Sequence, residues 1–255
     1  MFAAVEFPPI ENIVEWPNWF GSGALGFNKI AFMSFVAFAL SVAVFLIASS
    51  KYKSRAVPKG VQTIVESTVG FIEKQVILPT IGPDGMGYLP LLVSMFLFIF
   101  ICNLFEVVPT AHMPANARMA NPLLMALIAY VVFIAAGIRH NGLKYFVQAL
   151  FPPGVPKALY ILVTPIELIS TFLVRPFSLA VRLFANMLAG HILLITFSVL
   201  TISLVGGGIL ILIAPFSFAM LVAFTGFEFM VAFLQAYIFT LLTGVYIGGA
   251  IHPAH

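Results

Sequence analysis

Two apolar runs in the second half of the chain, residues 165–200 and 209–251, are too long to be ordinary membrane spans. They contain about 36 and 43 residues, and at about 1.5 Å per residue each would form a helix of roughly 50 to 65 Å. The hydrocarbon core of a bilayer is only about 30 Å thick, and an ordinary tilt of about 20° does not absorb the difference. Each run is therefore either steeply slanted or broken into two helices.

We favour the slanted arrangement, in which the two runs form a long antiparallel hairpin that turns near residues 204–208. The alternative is a break at Pro176 in the first run and near Thr225 and Gly226 in the second. Neither place has the polar, basic or multi-glycine content that is typical of a loop.

Composition places the whole chain in a membrane. Of the 255 residues 62% are hydrophobic and 8% are charged, and the mean hydropathy is +1.10. A soluble domain has about 25% charged residues, so a soluble globular protein is excluded. The Lys and Arg residues form no basic run of the kind that binds nucleic acid. The single cysteine, Cys102, excludes a disulfide framework and a cysteine metal site.

The remaining apolar stretches predict the rest of the fold. We expect an all-α integral membrane protein with about five membrane helices, of which the last two are the long hairpin. The other three predicted spans are residues 30–50, 88–108 and 121–138.

One further helix is predicted to lie along the membrane interface. Residues 58–78 place apolar and polar side chains on opposite faces at helical spacing. Pro79 and the turn at residues 82–85 are expected to end this helix. Residues 30–255 are then a single membrane domain, and residues 1–29 are an outer N-terminal segment.

The positive-inside rule orients the chain. Only Lys29 and Arg118 lie in loops on one side, and the N-terminus is predicted on that outer side, with the C-terminus in the cytoplasm. Residues 1–28 contain no Lys or Arg, so we do not expect a cleaved signal peptide. The loop cations on the inner side are Lys51, Lys53, Arg55, Lys59, Lys74, Arg139, Lys144 and Lys157.

Arg182 lies in the middle of an apolar run, with no acidic residue within four positions. An ionisable group at this depth costs kilocalories and by default marks a pathway or a site. A guanidinium stays protonated, so water, backbone carbonyls or a carboxylate from elsewhere must meet its charge. Ala185, Asn186, Ala189 and Gly190 form a small-residue surface that lets another helix approach closely. The alternative role, anchoring a helix end at the interface, describes Arg175 better than Arg182.

A first group of polar residues within the spans predicts an outer path for protons. At 100° per residue, His191 projects opposite Arg182, and in the hairpin it lies at a depth similar to that of Glu228. An imidazole titrates near neutral pH and can exchange protons with a carboxylate through bound water. The alternative is that these residues only form interhelical hydrogen bonds. The group consists of His191, Glu228, Gln235, Asn186, Asn103 and Glu106.

A second group predicts an inner path near the basic loops. Glu167 and Ser170 lie at the start of the first long run, and Tyr246 continues the helix face of Glu228 and Gln235. The alternative for Glu167 is an ordinary carboxylate at a helix start, where the helix dipole favours it.

Three segments carry a resemblance to a known family. They are Ser178-Leu-Ala-Val-Arg-Leu-Phe-Ala-Asn-Met-Leu-Ala-Gly-His191, Gln235-Ala-Tyr-Ile-Phe-Thr-Leu-Leu-Thr243 and Asn103-Leu-Phe-Glu-Val-Val-Pro109. Together they resemble subunit a of the rotary F-type ATP synthases, over residues 55–250, whereas the first 50 residues contain no motif that aligns. In that family, an interfacial helix accompanies transmembrane helices, and the last two, long and slanted, pack against a rotating ring of c subunits.

The resemblance implies a role for each matching residue. Arg182 is implied to be the family's essential arginine, which faces the ring carboxylates, with Asn186 and Gln235 as accompanying polar positions. His191 and Glu228 fall where some members carry an acid and a histidine respectively, and this exchange implies that the two positions are in contact. The outer-channel positions of the family match Asn103 and Glu106, and its inner-channel acid matches Glu167.

The function that the resemblance implies is that of a proton-translocating stator. Two offset aqueous half-channels would load and unload the ring carboxylates, with Arg182 between the channels. The expected partners are the c-subunit ring, b-type peripheral stalk subunits, the rest of the ATP synthase and the lipid bilayer of a bacterial plasma membrane. We expect no catalysis by the chain itself, because it contains no Walker-type phosphate loop, and no cofactor, metal or nucleic acid.

Two other classes of protein also place polar groups inside a membrane. A secondary transporter can bind an anionic substrate through a buried arginine, but it predicts an internal repeat, which this sequence lacks. An intramembrane enzyme needs a second metal ligand near His191 or a Gly-x-Ser-x-Gly elbow, and neither is present.

Overall fold

The structure is a computed structural model, which describes residues 19, 28–52, 60–108, 115–116, 118–142, 144–151, 156, 159–205 and 211–252. Within these residues every regular element is a helix, and none is a strand. Five helices are long and apolar enough to cross a membrane. The predicted fold class, an all-α membrane protein of about five spans with two long slanted helices at its end, is therefore confirmed.

The described part of the chain contains α-helices joined by two π-helical segments and one 3-10 turn. The π-helical segments are Glu73–Ile77 and Ser170–Val174, and the 3-10 turn is Pro83–Tyr88. The α-helices are α1 (Lys29–Tyr52), α2 (Val61–Ile72), α3 (Leu78–Thr80), α4 (Leu89–Val107), α5 (Ala120–Asn141), α6 (Lys144–Leu150), α7 (Tyr160–Ile169), α8 (Arg175–Val205) and α9 (Ala214–Ile251).

Each π-helical segment ends two residues before a proline, which is Pro79 in the first case and Pro176 in the second. A proline inside an α-helix cannot donate the usual hydrogen bond, and its ring clashes with the carbonyl four residues earlier. A π-helical turn widens the backbone at that point, so the helix continues. Pro79 therefore does not end the interfacial helix, and Gly82, at a φ of 85°, does. The last π-helical hydrogen bonds run from the Leu78 N–H to the Glu73 carbonyl and from the Arg175 N–H to the Ser170 carbonyl.

The two long runs are unbroken. Residues Tyr160–Val205 form one helical stretch of 46 residues, and α9 has 38. At about 1.5 Å per residue these are roughly 69 and 57 Å long, so neither can stand upright in a bilayer. The candidate breaks at Pro176 and at Thr225 and Gly226 both lie inside helix. Of the predicted turn at 204–208, residues 206–208 lie outside the described residues.

Helix α9 is the centre of the bundle. It packs against α4, α5 and α8, and α8 also packs against α5. Helix α1 packs against α2 and α4. The rings of Phe71, Phe96 and Phe233, from α2, α4 and α9, lie with their centroids 5.7 to 5.9 Å apart. The hairpin of α8 and α9 thus has one face against α5 and α4 and another open to the surroundings.

Part of the pattern behind the predicted orientation lies outside the described residues. This applies to several inner loop cations. The orientation therefore stays a prediction. The inner cations in question are Lys53, Arg55, Lys59 and Lys157.

The end of α9 is held by two neighbouring elements. Thr80, at the end of α3, packs directly against Gly244 and Gly248 of α9. The Asn141 side-chain amide, at the end of α5, donates hydrogen bonds to the carbonyls of Ala250 at 2.9 Å and Ile251 at 3.1 Å. These carbonyls lack partners within the helix, so the amide caps them.

Gly248→Ala is expected to destabilise the protein, because the added methyl group meets the Thr80 backbone carbonyl, which cannot rotate away. Overpacking of this kind costs about 1 to 3 kcal/mol. Gly249→Ala is the matched control, since a methyl group there has nothing within 4 Å and gains helix propensity. The measurement is the midpoint of thermal unfolding in detergent micelles. Equal midpoints for the two variants would contradict the tight contact.

Candidate functional site

Arg182 lies on the open face of the hairpin. Its side chain is exposed, and so are Ala185, Asn186 and Ala189 on the same face of α8. Among the described residues no carboxylate forms an ion pair with Arg182, and no aromatic ring lies against its guanidinium. The positive charge therefore lies on an exposed surface of the hairpin.

The side of α8 that faces α9 brings a carboxyl group to a glycine. His191 is 4% exposed and Glu228, on α9, is 5% exposed. A methyl group added to Gly190 would lie 2.5 Å from the Glu228 carboxyl carbon. The absence of a side chain at Gly190 therefore provides the space that this carboxyl group occupies. Gly190 directly precedes His191 in the chain. The His191 imidazole and the Glu228 carboxyl group therefore lie at a similar depth along the hairpin.

A groove connects the exposed arginine with these buried groups. It has a volume of about 480 Å³ and runs between α8 and α9, with Arg182, Asn186, Gly190, Glu228 and Gln235 among its lining residues. The Asn186 amide donates a hydrogen bond of 2.7 Å to the Gln235 side-chain oxygen across the groove. This bond joins the two helices one turn beyond Arg182.

Helix α4 adds a second carboxyl group to the buried side. Glu106 is 1% exposed, and Glu228 is close enough to interact with it electrostatically. Two adjacent carboxylates away from water are unfavourable unless a proton or another positive charge lies with them. The pair is therefore suited to holding a proton. Asn103 of α4 donates to the carbonyl of Ala232 at 3.4 Å, between Glu228 and Gln235.

Sequence reasoning missed one member of this cluster, Asn116. Its amide donates a hydrogen bond of 2.7 Å to the Asn103 side-chain oxygen, and it is fully buried. Residue 116 lies between spans, where helical periodicity gives no signal, and this loop was read only for its charges. The only sequence feature that indicates a role for Asn116 is its position just before the predicted third span.

Several buried polar atoms of this cluster have no hydrogen-bond partner within the described residues. Buried polar atoms in proteins are usually paired, often with bound water. The cluster can therefore accept water or a proton, whereas among the described residues no group of three His, Cys, Asp or Glu side chains could hold a metal ion. The atoms are Glu106 Oε1, Asn116 Oδ1, Glu228 Oε2 and Gln235 Nε2.

The predicted inner residues are less closely grouped. Glu167 accepts a hydrogen bond of 3.5 Å from the Thr171 hydroxyl, and Ser170 begins the adjacent π-helical segment. Tyr246 lies on α9, with the Arg175 guanidinium 5.5 Å from its ring centroid. In the described structure no hydrogen bond joins Tyr246 to Glu167 or Ser170. Arg175, interpreted as an interfacial anchor, thus binds α8 to α9.

Comparison with known proteins identifies the family. A profile of the ATP synthase A chain family matches residues 31–248. The chain belongs to this family. ATP synthase subunit a of Frankia alni is 40% identical over 259 residues, which cover 97% of this chain and 87% of that protein. The proteins of the same name from Rhodococcus erythropolis and Hyphomonas neptunium are 39% and 37% identical, each over 98% of this chain and over 92% and 98% of their own lengths.

Membership in the ATP synthase A chain family confirms the resemblance in the three motif segments. The match begins at residue 31, so it includes the first span, where no motif had been found. A subunit of this family belongs to the membrane sector of an ATP synthase and has the rest of that complex as its partner. The chain is accordingly a multi-pass membrane protein.

Gly190→Ala is expected to impair the protein without unfolding it. The added methyl group meets the end of the Glu228 side chain, which can rotate away, so the helices keep their spacing while the carboxyl group moves. We expect ATP-driven proton pumping by membrane vesicles to fall about tenfold, or about 1.4 kcal/mol. Gly226→Ala, which has open space around it, is the control. Normal pumping by the Gly190 variant would show that the position of Glu228 does not matter.

Proposed function

We propose that this chain is the proton-translocating stator subunit of the ATP synthase. It provides two offset aqueous half-channels that load and unload carboxyl groups on a rotating ring of c subunits. The observation that carries the proposal is the arrangement around α8. Arg182 is exposed on this helix, and a groove between α8 and α9 connects it with a buried cluster of carboxyl, amide and imidazole groups.

The exposed charge of Arg182 supports a partner that carries carboxylates. A guanidinium within the membrane needs an anion or water to meet its charge, and the described residues supply no carboxylate to it. The small side chains of Ala185 and Ala189 beside it allow a neighbouring helix to come close. A ring helix with a carboxylate at this depth fits both features.

The buried cluster supports the outer half-channel. A proton arriving from outside would pass Glu106, Asn103 and His191 and then reach Glu228. The groove past Gln235 and Asn186 leads from there to the open face of α8 and α9. A ring carboxylate that receives the proton becomes neutral and can then face lipid, which an ionised carboxylate cannot do cheaply.

The inner half-channel would receive the same proton after the ring has turned. We assign Glu167, Ser170 and Tyr246 to it, on the evidence of their position near the basic loops. Arg182 lies between the two paths, where it would draw the proton off an arriving carboxyl group and repel protons that pass straight across. Each charge crossing 100 mV yields about 2.3 kcal/mol, so several protons must be coupled to make one ATP.

Orientation and assembly complete the proposal. The excess of inner loop cations supports an N-terminus outside and a C-terminus in the cytoplasm of a bacterium. The partners are the c-subunit ring on the open face of the hairpin and b-type peripheral stalk subunits that keep the stator from turning.

Arg182→Ala is expected to abolish ATP-driven proton pumping, because the ring carboxylates lose the charge that releases their protons. Passive proton flux through the membrane sector should rise, since the barrier between the half-channels is also lost. Arg139→Ala, which removes an equal charge from the exposed end of α5, is the control. Both rates are measured in vesicles that contain the assembled complex. Pumping at the unaltered rate in Arg182→Ala would rule out the proposed role.

Exchanging His191 and Glu228 should harm pumping less than replacing either residue alone. The exchange keeps one imidazole and one carboxyl group at the same level of the hairpin, whereas each single replacement leaves two groups of one kind. A double-mutant cycle on the pumping rate measures the coupling. Additive losses would mean that the two side chains do not act together.

A further inference from the structure

Asn116 is a loop residue whose side chain is entirely buried. Residues that connect helices usually lie at the surface, because their polar groups need water. Asn116 instead points inwards from the short described segment 115–116, between α4 and α5. Its burial therefore needs an explanation in the contacts that it makes.

The contacts form a relay across three elements. The Asn116 amide donates 2.7 Å to the Asn103 oxygen, and the Asn103 amide donates 3.4 Å to the carbonyl of Ala232. Because the oxygen of Asn103 is already occupied, its NH₂ group must face α9. Ala232 is one helical turn from Glu228. The relay thus ends about one helical turn from the residue whose carboxyl group the proposed outer path uses.

Anchoring of the loop is already provided by a different residue. Asn121, in the first turn of α5, donates a hydrogen bond of 2.9 Å to the carbonyl of Ala115 and another to the Ser34 hydroxyl. The side chain of Asn116 is therefore not required to hold the segment. Its own oxygen, Oδ1, is buried and has no partner in the described structure, like Oε1 of Glu106.

We propose that Asn116 is a positioning residue of the outer proton path. It holds the Asn103 amide against α9 and offers Oδ1 as an acceptor to water that carries protons towards Glu106 and Glu228. This inference rests on the proposed function, because it assumes that protons reach Glu228 from the side of the loop that contains Asn116.

The test compares Asn116→Leu with Asn121→Leu in the assembled complex. Passive proton flux is measured in vesicles stripped of the soluble sector, over a range of pH on the outer side of the channel. We expect Asn116→Leu to lower the flux about tenfold at neutral pH, or about 1.4 kcal/mol, and to recover much of it at acidic pH, where more protons offset slower loading. A loss of assembled subunit lowers the flux by one factor at every pH, which is the expectation for Asn121→Leu.

A second measurement tests whether Asn116 acts through Asn103. If it does, the double variant Asn103→Leu/Asn116→Leu is no worse than Asn103→Leu alone. An unchanged flux in Asn116→Leu, or a loss of equal size at every pH, would overturn the inference. If Asn116→Leu does not assemble, Asn116→Ala is measured in the same way.

Glu228→Gln separates this inference from the proposed function. Loss of flux in Glu228→Gln together with normal flux in Asn116→Leu would overturn the role of Asn116 alone. Normal flux in both variants would overturn the outer path itself.

Discussion

The charge of Arg182 constrains the rest of the structure. A guanidinium cannot give up its proton, so within a membrane it must be met by something outside its own helix. Helix α8 could have turned this residue inwards, towards Glu228, and formed an internal ion pair. The structure instead exposes Arg182 and buries Glu228. Both groups thus remain available, the arginine to a neighbouring protein and the carboxyl group to protons.

The separation of these two groups depends on small residues. Gly190 allows the Glu228 carboxyl group to lie directly against the backbone of α8. The short side chains of Ala185 and Ala189 project little from the exposed face of the same helix. A larger residue at position 190 would displace the Glu228 carboxyl group, and larger residues at positions 185 and 189 would hold a partner helix at a distance. Helix α8 can therefore approach both α9 and a partner helix closely, because its side chains are small at both contacts.

Hydropathy predicted an all-α membrane protein of about five spans with two long helices at its end, because apolar runs are a local property of the sequence. The wide turns before Pro79 and Pro176 were not predicted, because a proline alone does not show whether a helix ends or widens. The position of Asn116 was missed for a different reason. Its burial depends on a contact with Asn103 of α4, which no periodic pattern encodes. Likewise, Tyr246 was placed by its helix face, whereas its contact with Arg175 depends on the packing of two distant segments.

The far end of α9 explains how Glu228 keeps its position. A helix of 38 residues is about 57 Å long, and a small tilt at one end would move the other by several ångströms. Thr80 packs against Gly248, and Asn141 caps the last carbonyls. At the same end the His252 Nε2 and Asp84 Oδ2 atoms lie 3.6 Å apart. These contacts come from separate elements and meet at one helix end, so they restrict both sliding and rotation. Under the proposed function this rigidity matters, since any shift of α9 would move the Glu228 carboxyl group relative to Gly190 and to the groove.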